Sequence, residues 1–204
     1  MSSHVLPVRE RAARPRPAGR VTRRIPGASA VLAASTMLLG CGSVDESSGL
    51  IGSGASVSVF INELMSSNDA YYPDSQGETS DWIELFNAGD EPINLDGYFI
   101  GDNLDNPREV RLSEAVEIPA NGVLVLRANS NASGGDPLTV PLGLSAAEGD
   151  SVVLTDAHGV LVDAVTFGPS SGGESYARHP DGSGPPAWCG APTPSELNGE
   201  ACAL

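Results

Sequence analysis

The sequence predicts an all-β protein built as an antiparallel β-sandwich. Three observations carry this prediction. The 204-residue chain contains six or seven short runs of apolar, aromatic and β-branched residues, each bounded by turn-forming residues. No window shows the 3.6-residue spacing of apolar positions that an amphipathic helix requires. The connections between the runs differ in length and nothing repeats regularly, which favours a sandwich over a barrel.

The two most strongly patterned runs cover residues 81–87 and 94–100, with the turn formers 88–92 between them. Side chains of a strand alternate between faces, so the first run has three residues on one face and two on the other. These are Trp82, Glu84 and Phe86 against Ile83 and Leu85. We expect the aromatic face to supply the core. The predicted core motif is Glu63, Trp82, Glu84 and Phe86.

The other strands before the middle of the chain are predicted from the same pattern. A first strand covers residues 57–65 and leads into a polar loop over 66–80. After a turn-rich loop, one short edge-like strand is expected within residues 109–118. The turn 119–122 then precedes residues 123–128, an apolar run typical of a strand that is buried on both faces.

The last third of the chain predicts one hairpin and a tail. Residues 130–149 are expected to be mostly loop. Residues 151–155 and 160–167 flank the turn formers 156–159, which is a hairpin signal. From Gly168 onward the chain is rich in Gly, Pro and Ser, and we expect it to coil along the surface.

Charge divides the chain into two unequal parts. Residues 1–40 contain seven Arg and one acidic residue, Glu10, for a formal charge of +6. Residues 41–204 contain 25 acidic residues, four Arg and no Lys, for −21. Nucleic-acid binding draws most of its affinity from cationic contacts, so we expect no nucleic-acid partner for so acidic a body.

The basic N-terminal part carries the features of an export signal. Arg23 and Arg24 precede residues 28–39, twelve uncharged residues that are too few to span a bilayer. The run Leu38-Leu39-Gly40-Cys41 then resembles the lipobox of bacterial lipoproteins. The resemblance implies that residues 1–40 are a signal peptide and that Cys41 becomes a lipid-bearing N-terminus, with palmitate among its acyl chains. The arginine pair leaves a twin-arginine export route open.

Residues 41–56 are rich in Gly and Ser and predict a flexible tether with a reach of roughly 20 Å. Residues 57–204 then form the folded domain. We expect a monomer that is attached to a membrane through Cys41, on the extracytoplasmic side of a bacterial cell envelope.

Two cysteines remain once Cys41 is assigned to lipid. Cys189 and Cys202 enclose a short loop in a chain that is predicted to be exported. We expect a disulfide between them, worth about 3 kcal/mol by the loop-closure model. It would fasten a tail that has few apolar residues.

Glu63 and Glu84 are the residues that most invite a catalytic interpretation, since glycoside hydrolysis needs a pair of carboxyl groups. Both lie in predicted strands beside the core, where a buried acid more often accepts hydrogen bonds from loop amides. Asn62 and Asn87, at strand ends, are interpreted in the same way as loop-orienting residues. His158 and His179 are isolated histidines and make a weak case for zinc, and no Gly-x-Ser-x-Gly elbow between a strand and a helix is expected in a chain without predicted helices. We therefore expect no enzyme activity.

Two acidic loops offer oxygen ligands of the kind that calcium prefers. One contains Asp69 and Asp74, and the other contains Asp102 and Asp105. Neither has the ligand spacing of an EF-hand. The hypothesis is a weak calcium site, with Ca²⁺ as the single candidate cofactor, and the alternative is that both loops are simply solvated.

A series of short motifs along the body occurs in a characteristic order. They are residues 61–65, 81–87, 93–98, 119–122, 175–182, Trp188 and 193–198. In this order they resemble the lamin tail domain family, over about residues 57–199. The chain departs from the commoner family pattern at Ser195, where Gly more often follows the Thr-Pro pair.

The resemblance implies an immunoglobulin-like sandwich. In bacteria such domains are similar to accessory modules of exported proteins, often beside a nuclease or phosphatase domain, and no such activity is carried over here. We expect a non-catalytic binding or scaffold module that presents loops or a sheet edge to an envelope protein or glycan. A calcium-dependent adhesion module and an undetected hydrolase are the alternatives.

Overall fold

The computed structural model describes residues 58–202. The predicted signal peptide (1–40), the lipid-bearing Cys41 and the tether (41–56) lie outside these residues and stay predictions. Within the described residues, no helix has both the length and the apolar character needed to cross a membrane.

Twelve strands and one 3-10 helix form the regular structure of residues 58–202, which confirms the all-β prediction. The long strands are β1 (Val59–Met65), β2 (Asp81–Asn87), β7 (Gly122–Ala128), β9 (Asp150–Thr155) and β10 (Leu161–Phe167). The short strands are β3 (Ile93–Asn94), β4 (Phe99–Gly101), β5 (Val110–Arg111), β6 (Glu117–Ile118), β8 (Thr139–Val140), β11 (Ser175–Arg178) and β12 (Pro186–Cys189). The 3-10 helix is Glu200–Cys202.

The strands form two principal sheets and a small ribbon. One sheet has six strands in the order β12-β11-β1-β2-β7-β8, and the other has four in the order β10-β9-β4-β5. Strands β3 and β6 make the ribbon. The pairs are antiparallel except for β7 with β8, a parallel pair of two residues in each strand. The architecture is the immunoglobulin-like β-sandwich that was predicted.

The main hydrophobic core is built from aliphatic side chains of both sheets. Ile83 and Leu85 of β2 belong to it, together with Val152 and Leu154 of β9. The face of β2 with Trp82, Glu84 and Phe86 is also buried, but it points away from this core. The aromatic face is therefore buried as expected, but Trp82 belongs to a separate, smaller cluster with Met65 and Val125. Loops cover that face, and aliphatic side chains fill the space between the sheets.

A β-bulge at Asn62 decides which face of β1 each residue occupies. The residues of β2 that pair with Ile61 and Glu63 are adjacent in sequence, so Asn62 is an extra residue. Ile61 and Leu64 both belong to the main core although they are three positions apart, which strict alternation would forbid. Asn62 and Glu63 consequently both lie on the outer face, beside Glu84.

The predicted strand over residues 94–100 is interrupted by a turn. Gly97 has a φ of +82°, in the left-handed region that glycine adopts without strain, and the N–H of Tyr98 donates to the carbonyl of Leu95 across 3.0 Å. The chain before the turn joins the ribbon as β3, and the chain after it joins the four-stranded sheet as β4. The single strand expected within residues 109–118 divides correspondingly into β5 and β6.

The expectation that the chain only coils along the surface after Gly168 is wrong for β11 and β12. Strand β11 pairs with β1, and β12 pairs with β11. Tyr176 and Trp188 pack against the main core, with ring centroids 5.0 Å apart, and both rings lie near Phe167. Four-residue strands carry little periodic signal, so their formation depends on the edge that β1 offers.

Candidate functional site

The outer face of the six-stranded sheet carries a cluster of buried polar side chains. Its members are each at most 2% exposed: Asn62, Glu63, Glu84, Ser175 and Asn198. The part of the chain that follows β12 covers them. We call residues 190–199 the C-terminal strap.

Glu63 is fully buried and accepts hydrogen bonds from the strap. The N–H of Thr193 lies 3.1 and 3.3 Å from its two carboxyl oxygens, and the Thr193 hydroxyl lies 3.1 Å from Oε2. The hydroxyl of Ser175, on the neighbouring strand β11, donates to Oε1. Both oxygens of Glu63 are therefore engaged by groups of the protein itself.

Glu84 is equally buried and is engaged in a similar way. Its Oε2 accepts from the N–H of Ser195 across 2.8 Å, and its Oε1 accepts from Nδ2 of Asn62 across 3.1 Å. Asn62 also donates to Asp181 across 2.7 Å and accepts from the N–H of Gly182 across 3.0 Å. The bulge residue thus connects β2 to the turn that follows β11.

Asn198 is the one residue of the strap that is deeply buried. Its side chain donates to the carbonyl of Arg178 across 3.0 Å and accepts from the Thr193 hydroxyl across 2.9 Å. Its backbone N–H donates to Asp181 across 3.0 Å. These bonds hold both ends of the segment 193–198 against the sheet.

Burial shifts the acid–base behaviour of both glutamates. It raises the pKa of Glu84 to about 8; the hydrogen bond from Asn62 opposes the shift and the charge of Glu63 adds to it. Burial also raises the pKa of Glu63, against the hydrogen bonds from Ser175 and Thr193. The ion pairs within residues 58–202 involve other acids: Asp96, Asp136 and Asp163. The raised pKa of Glu84 favours its protonated form at neutral pH.

An ion pair closes the edge of β1 next to this cluster. Arg178 and Asp163 lie 3.1 Å apart, and both side chains are largely buried. Asp163 accepts from the N–H of Ile61 across 2.8 Å, and Nε of Arg178 donates to the Ile61 carbonyl across 2.9 Å. The pair therefore satisfies the backbone of β1 at a residue to which β11 does not extend.

The disulfide between Cys189 and Cys202 is present, as the sequence predicts. Their Cα atoms are 4.9 Å apart, and both residues are buried. The bond joins the end of β12 to the 3-10 helix, and the whole strap lies inside the loop that it closes.

The structure gives Glu63 and Glu84 the structural role that the sequence predicts. A glycoside hydrolase needs both carboxyl groups at the substrate. Here both are fully buried, and their oxygens accept from Thr193 and Ser195 of the strap. Asn87 orients loops as expected, donating to the carbonyls of Glu91 and Pro119.

His158 and His179 lie in different parts of the fold. His158 is exposed on the turn between β9 and β10, where its N–H donates to Asp156. Nδ1 of His179 lies 3.0 Å from the carbonyl oxygen of Asn198. His179 therefore contacts the strap rather than a metal-ligand cluster.

The four aspartates of the calcium hypothesis stay in two separate loops. Asp74 accepts the N–H groups of Gln76 and Glu78 across 2.8 and 2.9 Å, which shapes its own loop. Asp102 lies beside Glu109, whose pKa is raised by burial and by the neighbouring charge. Across residues 58–202, no three His, Cys, Asp or Glu side chains come close enough together to hold a metal ion.

Two loops form an open polar cleft that sequence reasoning missed. Its volume is about 270 Å³. Its hydrogen-bonding side chains come from the loop before β2, the first residue of β2 and the loop after β7: Asn68, Thr79, Ser80, Asp81, Asn129 and Ser130. The two loops meet because Asp81 pairs with Ala128 at the ends of those strands. Since that pairing is between distant residues, each loop taken alone gave no signal.

Asp81 is the acid of this cleft. Burial raises its pKa to about 6, against hydrogen bonds from the backbone of Leu144 and Asn68. Asn68 shapes the first loop by donating to the carbonyls of Tyr71 and Ser80 across 2.6 and 2.7 Å. The cleft therefore has walls of defined conformation and one partly buried carboxyl group.

The fold and the site together define a β-sandwich module in which two buried glutamates bind the C-terminal strap of the same chain. A family model described as Lamin Tail Domain matches residues 52–169. The chain belongs to the lamin tail domain family, as its motifs predicted, and the domains of this family are immunoglobulin-like and non-catalytic. The matched residues end before β11, so β12 and the strap also lie outside them. A search of curated proteins finds no match.

Proposed function

We propose that this protein is a lipid-anchored, extracytoplasmic binding or scaffold module of a bacterial cell envelope, acting without catalysis. The lipobox-like run ending at Cys41 supports the anchor. Membership of the lamin tail domain family supports a sandwich that binds or scaffolds. The proposed partner is an envelope component within reach of the tether.

The polar cleft is the observation that carries the binding role. Its side chains offer hydroxyl, amide and carboxyl groups, which both donate and accept hydrogen bonds. A volume of about 270 Å³ is at the small end of ligand sites and suits a single sugar ring. We therefore propose an envelope glycan as the partner. An envelope protein that pairs with a sheet edge, at β5 or β8, is the other class.

Titration with a soluble oligosaccharide of N-acetylglucosamine tests the glycan proposal. Thr79→Val and Ser130→Ala each remove a hydroxyl from the cleft, and Ser133→Ala changes an exposed hydroxyl of the same loop that does not line it. We expect each cleft variant to weaken binding about fivefold, the value of one hydrogen bond, and the control to bind as the wild type does. Equal affinities for all four proteins, or no binding by the wild type, would contradict it.

Calcium-dependent surface adhesion is the second candidate. The observation in its favour is the contact between Asp102 and Glu109 in an exposed loop, where repulsion between two carboxyl groups raises the pKa of Glu109 beyond the effect of burial. A divalent cation would relieve that repulsion, and nearby carbonyl or water oxygens would complete its coordination. Asp105 lies in the same loop.

A further inference from the structure

We propose that the C-terminal strap is a pH-responsive latch, closed over β1 and β2 while the buried pair of Glu63 and Glu84 holds a proton and released when that proton is lost. This inference goes beyond the proposed function. It does not depend on the lipid anchor or on the partner.

Polar contacts hold the strap: Thr193 and Ser195 donate to the two glutamates, and Asn198 bonds to Arg178 and Asp181. The Cys189–Cys202 disulfide closes the loop that contains the strap. Most of its residues are exposed, including the large apolar side chain of Leu197, so little apolar surface favours closure. Its backbone donors, the N–H groups of Thr193 and Ser195, converge on the carboxyl groups of Glu63 and Glu84. The protonation state of these two carboxyl groups therefore affects whether the strap stays closed.

The two carboxyl groups are close neighbours, and neither takes part in an ion pair within residues 58–202. Glu63 and Glu84 are directly opposite each other on adjacent strands, where side chains of like charge repel. Asp181, which accepts from Asn62 and Asn198, adds a third acid that disfavours their ionisation. Opening the strap would admit water to these groups and lower the free energy of their charged forms.

Each element that packs against the strap and the two glutamates also carries titratable or charged groups. From β11 comes Arg178, which is engaged by Asp163 of β10. From the following turn come His179 and Asp181. The strap contributes the exposed Glu196, and the 3-10 helix contributes the exposed Glu200. His179 contacts the strap through the carbonyl oxygen of Asn198, so the experiment must separate its contribution from that of Glu84.

The direction of the effect follows from proton linkage. The closed state holds Glu84 with a pKa of about 8, whereas an opened, hydrated Glu84 approaches its ordinary value of 4.5. Between these values the closed state binds more protons, so raising the pH favours opening by up to about tenfold per pH unit for each proton released. Above about pH 8 the effect levels off.

Hydrogen exchange of individual amides in the oxidised protein tests the latch. The amides of Thr193 and Ser195 should lose protection by at least about tenfold between about pH 6 and pH 8, after correction for intrinsic exchange. The amide of the buried Leu95, which donates to the carbonyl of Val116, reports global unfolding and should stay better protected than Thr193 and Ser195 at every pH. Protection of Thr193 and Ser195 that does not vary with pH would overturn the proposal.

Three variants assign the effect to its source. Glu84→Gln removes the titrating carboxyl group but keeps an acceptor oxygen for the N–H of Ser195. The protection of the Thr193 and Ser195 amides should therefore stop varying with pH, whether it is higher or lower than in the wild type. Glu114→Gln, at an exposed position, and His179→Gln should keep the wild-type slope. If Glu84→Gln retains the slope, or if His179→Gln removes it, the latch does not work through Glu84. Should Glu84→Gln fail to fold, Glu63→Gln takes its place, because the charge of Glu63 helps to raise the pKa of Glu84. A reduced slope in Glu63→Gln supports the latch, and an unchanged slope contradicts it.

Discussion

The backbone N–H of Ser195 donates to the carboxyl group of Glu84 across 2.8 Å, although the two residues are 111 positions apart in the chain. Glu84 lies on the outer face of the central strand pair, and Ser195 lies in the strap outside the residues matched by the family model. This contact shows why a buried acid occupies a strand position. Glu84 holds a distant segment of the chain, as Glu63 does through Thr193.

Removing the Glu84 carboxyl group should destabilise the domain. Glu84→Ala leaves the donors of Asn62 and Ser195 unpaired in a buried site and opens a cavity, for a loss of about 3 kcal/mol in the free energy of unfolding. Glu84→Gln keeps one acceptor and the volume, so it should lose about 1 kcal/mol. Urea denaturation measures both. Equal losses for the two variants would show that hydrogen bonding is not the cause.

Stability should fall as the pH rises from mildly acidic to alkaline values. The folded-state pKa values of Glu84, about 8, and Asp81, about 6, lie above the ordinary 4.5 and 3.8. The folded protein therefore binds more protons than the unfolded chain between these values, and the stabilisation present below about pH 4 is lost progressively up to about pH 8. We expect a loss of up to about 5 kcal/mol between about pH 5 and pH 9, most of it from Glu84.

Denaturation midpoints in urea at several pH values measure this loss, and Glu84→Gln should reduce it. Self-repulsion of the acidic body has the same sign but is screened by salt, whereas the buried groups are not. A stability that rises over this range in high salt would contradict the assignment.

The substitution Ser195→Gly should stabilise the protein. Ser195 has a φ of +73°, in the left-handed region that costs a non-glycine residue about 1 kcal/mol. Glycine keeps the N–H that donates to Glu84, so the substitution removes the strain of about 1 kcal/mol without losing this hydrogen bond. The greater conformational entropy of the unfolded glycine chain offsets part of this gain in stability. Thermal unfolding measures the gain. A clear loss of stability would mean that the Ser195 side chain contributes a contact of its own.

Calcium should stabilise the protein if the Asp102 loop binds it. Free calcium at about ten times its dissociation constant adds about 1.4 kcal/mol, which corresponds to a rise in Tm of about 3–6 °C over a chelator control. Asp102→Asn should abolish the rise, and Asp74→Asn should abolish it only if the site lies in the other loop. Identical Tm values in calcium and chelator would exclude this candidate.

Local patterns were sufficient for much of the fold. The alternation in β2, the apolar run of β7 and the hairpin around Gly159 each predicted a strand or turn where one forms. The structural role of Glu63 and Glu84 was also predictable, because a carboxyl group in an apolar strand has to find donors nearby. The pairing of Cys189 with Cys202 followed from the number of cysteines.

What escaped prediction depends on contacts between distant residues. The bulge at Asn62 reverses the alternation of β1, so the sequence could not show which face of its partner β2 meets the main core. Strand β11 forms because β1 offers it an edge, not because Ser175–Arg178 has a strong pattern of its own. The polar cleft needs the pairing of Asp81 with Ala128 to bring its two loops together.

The functional proposal depends most on Cys41, because a lipid on this residue would place the whole domain at the envelope. Metabolic labelling of cells with a radioactive fatty acid, with and without the signal-peptidase inhibitor globomycin, tests it most directly. We predict that the wild-type protein is labelled, that its precursor accumulates under globomycin, and that Cys41→Ala is unlabelled. A wild-type protein that takes up no label, or a Cys41→Ala variant that is labelled as strongly as the wild type, would contradict the lipid-anchored module.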